Sequence, residues 1–306
     1  MNKQLKGAIL TINGGVFWGL SGSVGQYLFT VQRMDSRWLV PIRLFVSGVI
    51  LLAFGAIKYG SRVLSPWRGR RNLIELLIYG VAGVSMSQFF YFATIQYSSA
   101  GIGTILQDLS PVMVLLCVCA ASRRLPKARE AFAIILALAG VFLIMTHGEI
   151  GTLAVPIRAL VTGILCAACV TIYNTVPKRL MRSFPISILQ AWAFLCGGTF
   201  LAIVFRVWQY RYVPNAAGLA GIATVILLGN IFAFTSYMTG LNLIGAEKAI
   251  LYGFSEPVSA ALISTLFLNS PFTLWDAAGF AAVFLMMILI SIRPKKPTRP
   301  DNTPDP

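Results

Sequence analysis

Long uninterrupted apolar runs separated by short polar stretches dominate the chain. Crossing a hydrocarbon core takes roughly 20 residues at about 1.5 Å rise each. Runs of that length occur at approximately 7–29, 38–57, 73–95, 99–120, 129–146, 157–177, 186–206, 217–240, 245–268 and 273–292. Ten membrane helices are therefore predicted, an all-α integral membrane fold. Within the last run the stretch AAGFAAVFLMMILISI carries no charge. Lys3 and Lys6 ahead of the first imitate the start of a signal peptide, but the apolar run is too long and lacks a convincing cleavage site. The first helix is expected to stay in the mature protein.

Composition agrees with this pattern. Hydrophobic residues make up 57% of the 306 and charged residues only 11%, with mean hydropathy +0.76, against about 25% charged residues in soluble domains. A soluble core of this length could not hide so much apolar surface. The net charge of +15 does not imply a nucleic-acid partner, because the Lys and Arg residues lie between the apolar runs and form no patch. Cys117, Cys119, Cys166, Cys169 and Cys196 all fall inside apolar segments and read as small packing residues. Cys166 and Cys169 share no histidine, since His147 lies between spans, so neither a metal nor a cofactor is expected.

The basic residues also orient the chain, because Lys and Arg in short loops stay on the cytoplasmic side. With the N-terminus inside, the cytoplasmic loops and tail collect 18 of the 25, among them Lys58, Arg62, Arg68, Arg123, Arg124, Lys178, Arg179 and Arg293. The outside receives Arg33, Arg37, Arg158, Arg206 and Arg211, while Arg43 and Lys248 fall within spans. Both termini are thus expected to be cytoplasmic, which demands an even number of crossings. Residues 293–306, rich in proline and charge, are expected to form a disordered cytoplasmic tail.

An internal repeat is visible. A shift of 146 residues lays FYFATIQYSSAGIGTILQDLSPV, 90–112, over SYMTGLNLIGAEKAILYGFSEPV, 236–258, without a gap. Tyr91 meets Tyr237, Gln96 meets Asn242, Ala100 meets Ala246, and Pro111 and Val112 meet Pro257 and Val258. A weaker match at an offset of 152 pairs Val24 and Leu28 with Val176 and Leu180. Two units of five helices, 1–148 and 149–292, then follow in tandem, in opposite orientations because five is odd. Inverted repeats of this kind recur in secondary transporters, with the substrate site near the midplane where they meet.

The segments VFWGLSG, PIRLFVSGVILL, GAEKAILYGFSEPVSAALIS and GFAAVFLMMILI also resemble the EamA family of the drug/metabolite transporter superfamily over nearly all ten spans. The resemblance implies a ten-helix, two-repeat protein of the bacterial cytoplasmic (inner) membrane that exports amino acids, related metabolites or drug-like compounds. The chain departs from the family in lacking an acidic residue after spans 4 and 9, where it reads AASRRLP and LFLNSPF; that bears on loop contacts rather than on the fold.

Ionisable groups deep in a span are costly, about 2.5–3.5 kcal/mol on insertion scales, and mark functional positions. Asp108 and Glu256 both fall near mid-depth. Lys248, Tyr252 and Glu256 recur every four residues, which would stack a cation, a phenol and a carboxylate on one helical face. An amino acid fits that lining, its amine at Glu256 and its carboxylate at Lys248; alternatively Lys248 snorkels or pairs with Glu247. Asp108 does not align with Glu256, whose repeat partner is Ser110, so it either faces the cavity or hydrogen-bonds a neighbouring helix. A proton is the candidate coupling ion. Arg43 either snorkels outward, lines an outer vestibule or pairs with Asp108. Trp18, Tyr91, Tyr173 and Tyr237 sit within spans, as packing or as stacking surfaces, and Gln107 and Asn174 offer neutral hydrogen bonds. Pro111 and Pro257 are candidate hinges or helix breaks.

These features favour a secondary carrier working by alternating access on a small molecule, with the bilayer as its only other partner. The alternative is a membrane protein handling lipid or lipid-linked substrates, flippase-like or a transferase. A transferase would need acids or histidines in its loops, and the long loops here are basic. No phosphate-binding loop is present, so ATP-driven transport is not expected.

Overall fold

The computed structural model describes residues 2–149, 153–176 and 178–291. The expected tail, 293–306, lies outside the described residues. The described residues form helices joined by short connections, without strands.

Helix α1, Lys3–Thr30, starts at Asn2, whose side chain accepts from the Gln4 amide. Helix α2, Ser36–Tyr59, starts at Asp35 and ends at Gly60, with φ +57°, before a 3-10 turn at Gly60–Trp67. Helix α3, Arg70–Leu77, runs through a π segment, Ile78–Ser85, into α4, Met86–Tyr97. The fourth span is two helices, α5 at Ala100–Gln107, capped by Ser99, and α6 at Ser110–Ala121. Helix α7, Ala128–Thr146, is opened by a capping box in which the Glu130 carboxylate accepts from the Lys127 amide. The second half contains α8, Ile157–Thr175; the short α9, Lys178–Ser183; and α10, Ile186–Val204. Next, α11, Ala216–Thr224, passes through a π segment, Val225–Phe232, into α12, Ala233–Ile244. The ninth span is again two helices, α13 at Ala246–Gly253 and α14 at Ser255–Leu268, and α15, Leu274–Ser291, completes the set.

Among the described residues, nine helices are long and apolar enough to cross a membrane. Helix α1 is not one of them, although its 28 residues are long enough. Its buried positions are mostly Gly, Ser, Thr and Gln, which lower its hydropathy because that face meets protein rather than lipid. Gln26 shows the consequence. Its carbonyl oxygen accepts from the Ala100 amide at 2.8 Å and the Ser264 hydroxyl at 2.9 Å, and its amide donates to Ser270 at 2.6 Å. Large apolar side chains such as Ile57, Leu138, Leu266 and Phe267 stay exposed, an arrangement stable against lipid and not against water.

Packing exchanges the two halves. α1 lies against α12 and α14, while α8 lies against α4 and α5; α2 pairs with α10 and α7 with α15. Close contacts repeat across these pairs. A Cβ on Gly48 would lie 2.5 Å from the Leu195 amide nitrogen, and one on Gly198 2.5 Å from that of Phe45. In the same way Gly140 packs on Val283 and Gly279 on Ile144. Gly83 of the first π segment receives Tyr173 of α8, and Gly229 of the second receives Ser21 of α1. The last set reproduces both repeat offsets, 146 between the glycines and 152 between their partners.

Candidate functional site

The two broken spans place the acids. Proline has no N–H to donate, so Pro111 leaves the Gln107 carbonyl unpaired four residues back, and Pro257 does the same to Gly253. Each helix breaks within that turn: α5 stops at Gln107 and α13 at Gly253. The matched prolines therefore begin new helices rather than bend continuous ones; Pro111 sits in the first turn of α6 and Pro257 in the first turn of α14. Asp108 occupies the first break, and Glu256 the first turn after the second.

Helix α1 closes against this region. A Cβ on Gly19 would lie 2.6 Å from the Glu256 carbonyl oxygen, and one on Gly22 2.5 Å from the Tyr91 hydroxyl. Only glycine lets the α1 backbone approach this closely. Trp18 of α1 packs on Tyr237 of α12, ring centroids 5.0 Å apart.

Asp108 and Glu256 lie within electrostatic range of each other, and Tyr91, Tyr173 and Tyr237 within range of Glu256. Both carboxylates are surrounded by protein yet keep part of their accessible surface, so they face space that water can occupy. Ser110, by contrast, is buried. Gln107 joins the same wall, its side-chain oxygen 3.5 Å from the Cys166 sulfur, and Cys166 also donates to the Ser87 carbonyl at 3.3 Å. Among the described residues no group of three potential metal ligands occurs.

Three expected arrangements change. Lys248, Tyr252 and Glu256 do not form one continuous stripe, because the helix carrying them is interrupted at Phe254. Lys248 and Tyr252 are exposed, and only Glu256 lies deep in the bundle. Asn174 is exposed near the end of α8. Arg43 neither snorkels nor pairs with Asp108: it is 2% exposed, and among the described residues no carboxylate lies within ion-pair distance of it.

The partners of Arg43 are neutral. Its Nη2 donates to Gln88 of α4 at 3.0 Å and to Asn230 of the second π segment, and the guanidinium lies 4.1 Å from the centre of the Phe92 ring. Asn230 in turn donates to Ser47 at 2.9 Å. Sequence reading missed Asn230 and Gln88. The available signal for Asn230 was one amide inside the apolar run VILLGNIFAF.

A model of the EamA-like transporter family matches residues 5–146 and again residues 157–292. An uncharacterised inner membrane transporter of Salmonella typhimurium, YicL, is 31% identical over 299 residues, covering 98% of this chain and 99% of its own. An uncharacterised transporter of Bacillus subtilis, YwfM, is 22% identical over 304 residues, with 94% and 95% covered. A protein of known crystal structure, 15% identical, superposes with a TM-score of 0.61 over 93% of this chain and 96% of its own, a likeness of fold alone.

Proposed function

The chain belongs to the EamA-like transporter family, and from that premise we propose that it is a secondary carrier exporting small metabolites, amino-acid-like compounds among them, by alternating access. It is a multi-pass membrane transporter, and its relatives are named as transporters rather than enzymes. The observation that supports the finer reading is the placement of Asp108 and Glu256, each at a break at matched positions of two different spans and within electrostatic range of the other. Carboxylates deep in a bilayer are retained where they handle a cationic group or a proton.

The reciprocal packing supports the motion. Helix α1 closes on α12 and α14 on one side of the exchange, and α8 closes on α4 and α5 on the other. Rocking one half against the other would loosen one closure as it tightens its counterpart. The two family matches, 5–146 and 157–292, support two repeats divided near residue 148, and the loop charges support cytoplasmic termini.

The test is a flux screen in proteoliposomes with labelled amino acids, nucleobases, dyes and fluorescent phospholipids, with and without a proton gradient. Accumulation of a water-soluble compound, reduced at least tenfold by Glu256→Gln or Asp108→Asn, is expected. Movement of phospholipid alone would turn the reading toward a lipid carrier, and no flux of any compound by folded protein would end it. A gradient-dependent rate lost in the same variants would identify the proton as coupling ion.

A further inference from the structure

We propose that Arg43 and Tyr91 form the subsite for a carboxylate group of the transported compound. The assignment rests on the transporter reading and goes beyond it by naming a chemical requirement of the substrate.

The Nη2 of Arg43 is fully engaged by Gln88 and Asn230, but its Nε and Nη1 have no acceptor. A guanidinium carries five N–H donors, so three lack an acceptor. The Tyr91 hydroxyl, on a side chain 5% exposed, is likewise without a partner. The two residues lie within electrostatic range of each other; Arg43 lies beside Gly229, which receives Ser21 of α1, and Tyr91 beside Gly22 of the same helix. Phe92 closes one face of the guanidinium.

A buried cation with only amide partners lacks a counter-charge, which costs several kcal/mol in a low-dielectric interior. Water would satisfy the N–H groups without supplying that charge. An anion with planar acceptor oxygens supplies both, and a phenol donating to it adds directionality. The anion is best singly charged, because Asp108 and Glu256 also lie within electrostatic range of Tyr91 and would repel a dianion such as phosphate. The same acids suit an amine at the other end of the compound. In this conformation α1 covers the pair, so the subsite opens when α1 withdraws.

The experiment uses the purified full chain in detergent and in proteoliposomes. Its probes are L-phenylalanine and L-threonine, their carboxamides, benzoate, putrescine, sodium chloride and sodium phosphate, read by thermal shift and by exchange flux. Carboxylates are expected to act at concentrations at least tenfold below those of the matching amides. Tyr91→Phe should raise the KM for carboxylates about five- to tenfold while leaving the melting temperature of the empty protein unchanged, because the deleted hydroxyl has no partner. Arg43→Gln should abolish carboxylate exchange and spare that of any carboxylate-free compound carried. Equal action of acids and amides, or an unchanged carboxylate KM in folded Tyr91→Phe, overturns the assignment. Exchange of carboxylate-free compounds only, or a shift by chloride or phosphate only, overturns it while transport stands. No binding and no flux by any probe removes it together with the transporter reading.

Discussion

The Arg43 guanidinium donates to the side-chain oxygen of Asn230, joining α2 of the first half to the π segment of the second. Both residues are almost fully buried, at 2% exposure each, so this contact is a polar tie between the halves inside the bundle. Removing one partner of a buried charge-assisted bond leaves the other desolvated and unmet, which costs about 1.5–3 kcal/mol. Asn230→Leu should lower the thermal midpoint in detergent accordingly. Asn230→Asp, which places a carboxylate beside the cation, should recover that loss or exceed it. Equal midpoints for the leucine and aspartate variants would show that charge at this contact is immaterial.

The breaks at Asp108 and Phe254 follow from proline, so restoring the amide should heal them. Pro111→Ala and Pro257→Ala are each expected to favour a continuous helix, with up to about 3 kcal/mol at stake. Helicity by circular dichroism and the melting temperature should rise or hold while flux falls, because the carboxylates are carried away from their present positions. Wild-type flux in both variants would separate the breaks from transport.

A matched pair of substitutions tests the exchange symmetry. Gly48→Ala and Gly198→Ala each force a methyl to within 2.5 Å of a backbone nitrogen on the partner helix. Such overpacking costs about 1–3 kcal/mol, and the two losses should agree because the two contacts are equivalent. Thermal unfolding of both variants gives the comparison, and a large loss in one with none in the other would break the equivalence.

At the start of α2, Asp35 accepts from the Arg37 amide at 2.8 Å and from its side chain at 2.8 and 3.1 Å. Burial pushes the Asp35 carboxyl up, but the hydrogen bonds and charge of Arg37 outweigh it and hold the group below its ordinary value. A depressed carboxylate contributes stability above its unfolded pKa, near about 4, and that contribution is lost as pH falls through the folded value. The exposed ion pair adds little by itself, so the cap dominates. Asp35→Ala should cost about 1 kcal/mol at pH 7, and the difference from wild type should close as pH falls through the folded value. Asp35→Asn, still a cap, should retain most of the stability.

What could be read without coordinates was whatever depends on neighbours along the chain. Hydropathy over about 20 residues placed nine of its ten predicted spans on helices long and apolar enough to cross a membrane, and the 146-residue offset placed Pro111 opposite Pro257. Local chemistry also singled out Asp108 and Glu256 as candidates, since a carboxylate inside an apolar run stands out. The stripe through Lys248 and Tyr252 failed because a periodicity of four assumes an unbroken helix, whereas Pro257 permits the break at Phe254.

The environment of Arg43 needed tertiary structure. Its partner Asn230 is 187 residues away and Gln88 is 45 away, and no spacing rule links positions brought together by packing. The amino-acid order alone determined a membrane protein of two similar halves with acids buried in its spans. How the halves exchange helices, and that the buried arginine meets amides instead of an acid, was decided by the close approach of glycine-bearing backbones in the folded bundle.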